Sequence, residues 1–312
     1  MSLRREQLAA FALGAACVLV PMRALGQQLI EGNLQKRVNG VIALLGYMVT
    51  PDVTTGSLGI SNNATGNPDF GMTTAGGGFT LRGRDPLYLE GTLGYARYNP
   101  TFIASNGQVQ SSVTSDWSAY SASGGVGWDF SVAPHLVLRP IFNLSYGRVD
   151  SNLSASGQTG SGAEFDFLAS GRLDTYGVGG SLMLDYEDYR PEREYDVELR
   201  YTNIRLQSTG GSSAAVQGSA DAQSVSFWAR RRAPSGFNMM ERPLRYVLEF
   251  AYSRFFGDLD GVLGFTDIVS LGTGLELDTS AHDSAVSRVR LMVRYKIGEN
   301  VTGWSIGLAA SF

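Results

Sequence analysis

The sequence predicts an all-β protein, a transmembrane up-and-down antiparallel β-barrel of about twelve strands. Three observations predict it. Apolar residues alternate with polar or small ones along segment after segment. Most of these segments run about 10 to 14 residues, longer than the usual 5 to 6 of soluble strands. Tilted strands need about 9 to 11 residues to cross a bilayer. The connections between segments are sorted by length, long and short in turn, as in barrels with short turns at one rim and longer loops at the other.

Composition points the same way. Glycine accounts for 39 of 312 residues, about 12% against a usual value of about 7%. Proline is only 10 and cysteine only 1. Mean hydropathy is −0.05, too low for a bundle of membrane helices. The two lysines are Lys36 and Lys296; every other basic residue is arginine.

Residues 1–26 read as a signal peptide. Arg4 and Arg5 precede an apolar run from Leu8 to Val20, and Ala24-Leu25-Gly26 puts small residues at a cleavage site before Gln27. The run is shorter than the roughly 20 residues of a membrane-spanning helix. Cys17 falls inside the segment, with Gly14 where a lipoprotein signal needs a large aliphatic residue. Removal of Arg4, Arg5, Arg23 and Glu6 leaves 22 basic and 28 acidic residues, a net charge of −6. That excludes a basic nucleic-acid-binding surface. Residues 27–39 read as a short periplasmic or lumen segment, with Leu29, Ile30 and Leu34 suited to a short helix or plug. Residues 40–312 read as the barrel.

Twelve strands follow in order: 40–50, 72–83, 86–98, 116–131, 136–149, 172–188, 194–206, 221–232, 244–256, 266–278, 287–297 and 302–312. Arg288 to Ile297 is the clearest. Val289, Leu291, Val293, Tyr295 and Ile297 share one face, and Arg288, Arg290, Met292, Arg294 and Lys296 share the other. Glu194 to Thr202 behaves alike, with Glu194, Asp196, Glu198 and Arg200 opposite Tyr195, Val197, Leu199 and Tyr201. In a membrane barrel the apolar face meets lipid and the polar face meets the lumen. All backbone hydrogen bonds must close within the wall, because lipid offers no partners. The inward set contains Glu90, Arg139, Asp185, Glu198, Arg200, Glu249, Glu276, Arg290 and Arg294. Mixed signs at this density pair across the lumen, and arginine suits the task through bidentate binding of carboxylates. Tyr98, Trp117, Tyr146, Tyr189, Tyr201 and Trp304 lie near strand ends and fit interfacial girdles.

The final strand, GWSIGLAASF, places Ser305, Gly307, Ala310 and Phe312 at positions of a terminal β-signal. With the signal peptide and the strand count, the chain resembles bacterial outer-membrane β-barrels, and most of all an autotransporter-type β-domain. The resemblance covers about residues 40–312 and implies insertion by the barrel-assembly machinery. Because only residues 27–39 precede the first expected strand, it implies a solitary, passenger-less barrel. Outer-membrane lipid and lipopolysaccharide are the expected surroundings. No nucleic-acid partner or cofactor is expected, and the oligomeric state is open.

Two other functions fit the same architecture. A small-solute, porin-like channel needs an open polar lumen, and twelve strands leave a narrow one that side chains can largely fill. A lipid-modifying enzyme needs a placed base near the outer leaflet. His135 and His282 both fall in short connections at the opposite rim, so no catalytic residue is expected. No metal-ligand spacing is found either. Asp258 and Asp260, in Gly257-Asp258-Leu259-Asp260-Gly261, suit either a cation contact or a plain turn. Arg230-Arg231-Arg232 suits either headgroup phosphates or a polar strand end.

Overall fold

The structure, a computed structural model, describes residues 28–29, 42, 45–49, 56–60, 70–81, 86–99, 101–105, 110–153, 170–210, 212, 217–262, 265–278, 288–299 and 301–311. Fifteen strands are described: β1 (Gln28–Leu29), β2 (Gly56–Ile60), β3 (Phe70–Thr80), β4 (Leu87–Tyr98), β5 (Thr101–Ser105), β6 (Gln110–Trp128), β7 (Phe130–Ala133), β8 (Leu136–Leu153), β9 (Arg172–Arg190), β10 (Arg193–Ser208), β11 (Ser219–Met239), β12 (Arg242–Gly257), β13 (Asp267–Asp278), β14 (Arg288–Gly298) and β15 (Val301–Ser311).

Twelve of them form one hydrogen-bonded path, β2-β3-β4-β6-β8-β9-β10-β11-β12-β13-β14-β15. Every adjacent pair is antiparallel. The two ends of the path, β2 and β15, lie side by side, which curls the sheet into a barrel. β1, β5 and β7 pair beside the main path, β5 against β6 and β1 against β5. Among the described residues no helix is long and apolar enough to cross a membrane.

Eleven of the expected strands are found close to their expected bounds, and the path has the expected count. The first is a correction. Residues 42 and 45–49, expected as strand 40–50, are helical. The first strand of the path is β2, after the helical turns. The reason is visible in the run GVIALLGYMV. A nearly unbroken apolar run satisfies a period of two and a period of 3.6 alike. Ile42, Leu45 and Val49 also stand at i, i+3 and i+7, and all three are fully or almost fully buried. Of segment 27–39, Gln28 and Leu29 pair with Ser105 and Ala104 of β5; the rest lies outside the described residues.

The two faces of the wall differ as the alternation predicts. Large apolar side chains stand exposed on the outer face, among them Leu93, Phe142, Leu144, Leu291 and Ile306. In water such a surface would be an aggregation hazard; against lipid it is the favoured state. Tyr146, Tyr201 and Trp304 are exposed on this face. The Tyr146 hydroxyl donates to Asp174 Oδ1 at 2.7 Å, with Arg148 beside it, a polar anchor at the outer rim. Trp117 and Tyr98 depart from the girdle expectation. They pack together, ring centroids 5.8 Å apart, on the inward face. Tyr189 also belongs inside, beneath the guanidiniums of Arg232 and Arg288.

Candidate functional site: the filled lumen

The lumen has two storeys of opposite character. Toward the rim with the long connections it is apolar. Ile42, Leu45, Tyr47, Met48 and Val49 of the inner helical segment pack against inward residues that include Trp117, Val149, Leu173, Ile204 and Phe255. The Tyr47 ring lies 4.4 Å from that of Phe255 and 5.6 Å from that of Phe265. Its hydroxyl donates to the backbone carbonyl of Leu259 at 2.6 Å, which satisfies a polar atom that would otherwise be buried alone. Glycine sets the closeness of the fit. A Cβ at Gly147 of β8 would lie 2.8 Å from Leu45 Cδ1, and one at Gly46 would lie 2.8 Å from Ala222 Cβ. Neither contact is possible without displacing the helical segment from the wall.

Leu259 belongs to the Gly257–Gly261 loop, and its role settles the reading of that stretch. Asp258 accepts from the Asp221 backbone N–H at 2.8 Å, and Asp260 accepts from the Thr266 hydroxyl at 2.7 Å. The two carboxylates hold the loop shut while fully buried Leu259 caps the helical segment. The plain-turn reading is the one the geometry supports.

Toward the rim with the short turns the lumen is charged. Glu90 on β4 accepts two hydrogen bonds from Arg200 on β10, at 2.7 and 2.8 Å. Asn143 Nδ2 donates to the same carboxylate at 2.6 Å, and Arg200 also donates to Ser181 at 2.8 Å. This pair spans the barrel at mid-height, and both side chains are almost wholly excluded from solvent. Arg139 lies over the Tyr88 ring at 4.0 Å and bridges Asp129 at 2.5 Å and Asp185 at 3.0 Å. A Cβ at Gly78 would overlap the Tyr88 hydroxyl, so glycine there makes room for the ring that supports Arg139.

A continuous chain of ion pairs occupies the rest. Arg294 reaches Glu249 at 2.5 Å, and Arg230 reaches the same carboxylate at 3.0 Å. Register explains the first contact: Glu249 and Arg294 both stand opposite Gly272 of β13, where no side chain separates them. Arg232 extends the chain to Glu194 at 3.3 Å and Glu276 at 3.7 Å. Arg290 closes on Glu276 at 2.6 Å, and Arg245 and Arg288 close on Glu194 at 2.5 and 2.7 Å. Below lies a cavity of about 1090 Å³ at the short-turn mouth, lined by residues that include Asp129, His135, Arg139, Asp185, Glu187 and Tyr189.

The inward set expected from sequence is therefore inward. Glu90, Arg139, Asp185, Arg200, Glu249, Glu276, Arg290 and Arg294 are buried, and Glu198 is half-buried. They form several groups rather than one. Sequence reasoning left out Asp129, Asn143, Glu194, Asp196, Arg230 and Arg232 as partners. For Glu194 and Asp196 the signal was present, since both share a face with Glu198. Of the arginine triplet, Arg230 and Arg232 point inward and Arg231 stands exposed between them.

At the rim, the Asp129 backbone N–H donates to Pro86 in the β3–β4 connection at 2.9 Å. Burial opposes the charge on Asp129, but donation from Arg139 and from the Thr80 hydroxyl holds its carboxyl below the usual range. His135 turns the chain between β7 and β8 with φ of 63°, and its Nδ1 meets the Glu187 carbonyl at 2.9 Å. His282 lies outside the described residues. Of the terminal β-signal, Ser305 and Gly307 are buried inward on β15, and Ala310 pairs with Val289. Phe312 lies outside the described residues.

Comparison with known proteins gives a family model and several solved structures to which the chain is similar. Residues 43–167 match the family model described as the autotransporter beta-domain. The chain is similar to the beta domain of the Bordetella autotransporter BrkA, with 14% identity, 82% of this chain and 97% of that one covered, and a TM-score of 0.47. It is similar to the translocator domain of NalP from Neisseria meningitidis, with 13% identity, coverage of 90% and 95%, and a TM-score of 0.46. The transport unit of AIDA-I from Escherichia coli gives 13%, 89% and 99%, and 0.46. No curated protein matches.

Proposed function

We propose that this chain, an autotransporter-type β-barrel domain of the bacterial outer membrane, works as a closed barrel whose lumen is sealed by its own inner helical segment. The observation that carries the reading is the apolar contact of residues 42 and 45–49 with the outer half of the wall. Burying several large side chains there stabilises the closed state by several kcal/mol, at about 1.5–3 kcal/mol each. Ions crossing the lumen would have to displace that contact. An exported polypeptide would have to displace it too, which supports a barrel working without a passenger. Released fragments in the culture medium, found by mass spectrometry, would overturn that part. Insertion by the barrel-assembly machinery belongs to the same reading and is supported by the terminal strand. Replacing Phe312 by Asp lowers the folded amount in membranes; unchanged folding removes the role of the ending.

The barrel catalyses no reaction in this reading, which the place of His135 in the β7–β8 turn, at the rim away from the long connections, supports. The second reading, a small-solute channel, draws on the cavity at the short-turn mouth. Planar-bilayer recording separates the two. The intact protein gives little or no conductance, and Leu45→Asp with Met48→Asp gives discrete channel steps. Large steady steps from the unaltered protein would establish the channel instead.

A further inference from the structure

The outward face of β12 carries an unbroken apolar stripe, Leu244, Tyr246, Leu248, Phe250 and Tyr252, between Arg242 and Arg254. The inward face of the same strand is buried from Val247 to Ser253. From one arginine to the other the strand rises about 30 Å, at about 3.4 Å per residue and a tilt of about 40°. That brackets an outward apolar band about 25 Å tall. Arg242 therefore marks the edge of the membrane at the short-turn rim.

Beyond that edge a chain in water turns polar. The β9–β10 turn does so, reading Arg190-Pro191-Glu192-Arg193. The β11–β12 hairpin does not. Pairing of β11 with β10 stops at Arg232 opposite Glu194, yet β11 continues to Met239. Near the tip Phe237 is 74% exposed, Met239 48% and Met240 80%. Met239 stands opposite Arg242, and alternation along β12 puts both on the outward face with the stripe.

The tip is a shaped element. The register shifts between Pro234 and Asn238. There the Ser235 hydroxyl donates to the Leu244 carbonyl at 2.6 Å and accepts from the Phe237 backbone N–H at 3.1 Å. It takes up backbone groups that the irregular ladder releases. Met240 and Glu241 reverse the chain with φ of 54° and 62°. Two left-handed residues make a hairpin turn that favours asparagine and glycine, so the backbone does not call for methionine. Three large apolar side chains held out together at the end of a hairpin mark a contact surface.

We propose that the β11–β12 tip is a membrane anchor, with Phe237, Met239 and Met240 set into the phospholipid interface at the short-turn rim. The tip prolongs the face that already meets lipid, with only Arg242 between. Arg193, Arg231 and Arg242 stand exposed or half-exposed on that face at this rim. Headgroup phosphates accept hydrogen bonds from such guanidiniums while apolar side chains beside them reach the acyl boundary. A water-soluble partner would not need the tip to continue the lipid-facing stripe. This anchoring rests on the barrel lying in a membrane, whether or not its lumen is closed.

The test uses the full chain with Cys17→Ser, which leaves no cysteine, folded into vesicles of phosphatidylcholine and phosphatidylglycerol. Met240→Cys takes an environment-sensitive fluorophore, and Glu192→Cys in the β9–β10 turn takes the same one. Heat-modifiable gel mobility confirms that both barrels are folded. At 240, lipid spin-labelled near the headgroup quenches several times more than lipid labelled deep in the chain. Iodide, present on both sides of the membrane, quenches several times less at 240 than at 192. A label at 240 that iodide reaches as readily as at 192 overturns the proposal and leaves the tip to a water-soluble protein. A label shielded from iodide but untouched by spin-labelled lipid also overturns it, by showing a second copy over the tip. Adding Phe237→Ser and Met239→Ser raises iodide quenching at 240. No change there would show that the fluorophore alone seeks lipid, and would overturn it as well.

Discussion

Removing Glu90 tests the mid-height ion pair most directly. Its carboxylate receives two hydrogen bonds from Arg200 and one from Asn143. Glu90→Ala would take from the Arg200 guanidinium, in a residue only 2% exposed, the carboxylate that accepts two of its hydrogen bonds. Leaving one member of a buried pair without its counter-charge costs about 3–5 kcal/mol. That lowers the folded-to-unfolded ratio by roughly two to nearly four orders of magnitude, at about 1.4 kcal/mol per factor of ten. Replacing both partners, Glu90→Met with Arg200→Met, removes the stranded charge as well as the pair. A buried pair exchanged for apolar side chains is often neutral or even stabilising, so the double variant unfolds at a denaturant concentration close to that of the intact protein. Urea unfolding in lipid vesicles, followed by tryptophan fluorescence, measures all three proteins. A Glu90→Ala cost below about 1 kcal/mol, the scale of an exposed pair, would refute the reasoning, since it would mean that water reaches the pair. A double variant as damaged as the single one would refute it from the other side, by showing that packing and not charge is lost.

Other perturbations reach other parts of the lumen. Gly147→Leu drives a side chain into the place of Leu45 and raises conductance in planar bilayers while the barrel remains heat-modifiable. Gly272→Val intrudes between Arg294 and Glu249, whose atoms would lie 3.1 and 3.2 Å from a new Cβ. Overpacking of this kind costs about 1–3 kcal/mol in urea unfolding, and Gly77→Val, where a Cβ meets nothing, costs much less. Asp129 gives a pH dependence. Its folded carboxyl is held below the unfolded value, so its contribution is present above the unfolded value of about 3.9 and is lost as pH falls through the lower folded one. Asp129→Asn therefore removes stability at neutral pH and less at strongly acid pH, read from thermal unfolding at a series of pH values.

Alternation is a local property, and what depends on it was legible. The faces of RVRLMVRYKI are those of β14, with Arg290, Met292, Arg294 and Lys296 buried and Val289, Leu291 and Val293 exposed. The eleven strands from β3 onward, without the side strands, have lengths and turns that period and turn residues specify. Trp117 was misplaced because strand position, not parity, was used to place it. Counting from Ala119 and Ser121 puts it inside. The helical segment was misread because its neighbours along the chain do not decide its form. Its partners Leu173, Ile204, Leu206 and Phe255 lie on three strands, β9, β10 and β12, far away in sequence. The ion pairs divide the same way. That Glu90 faces the lumen follows from Leu87 to Tyr95, but that it meets Arg200, 110 residues away, depends on the closing of the barrel.

The two storeys follow from one constraint. A twelve-strand wall leaves a lumen too narrow for bulk water and too wide for the wall's own small side chains to fill. In the outer half the inward residues are mostly apolar, and Gly46 and Gly147 let an apolar helix fill the gap by contact. In the inner half the wall carries arginines and carboxylates long enough to meet across it, as Glu90 and Arg200 do. A helix there would need a counter-charge for nearly every turn. A charged filling in the outer half would leave the helix's apolar face uncovered. The boundary falls near Ser123, whose hydroxyl lies 3.5 Å from the carbonyl of Val49, the last described residue of the helical segment. Moving that boundary is harder than weakening either storey. Ser123→Leu, at the junction, is therefore expected to raise conductance more than its effect on unfolding would suggest, in the same planar-bilayer and urea measurements. Equal rank in both would show that the lumen is filled as one body and that the boundary has no separate role.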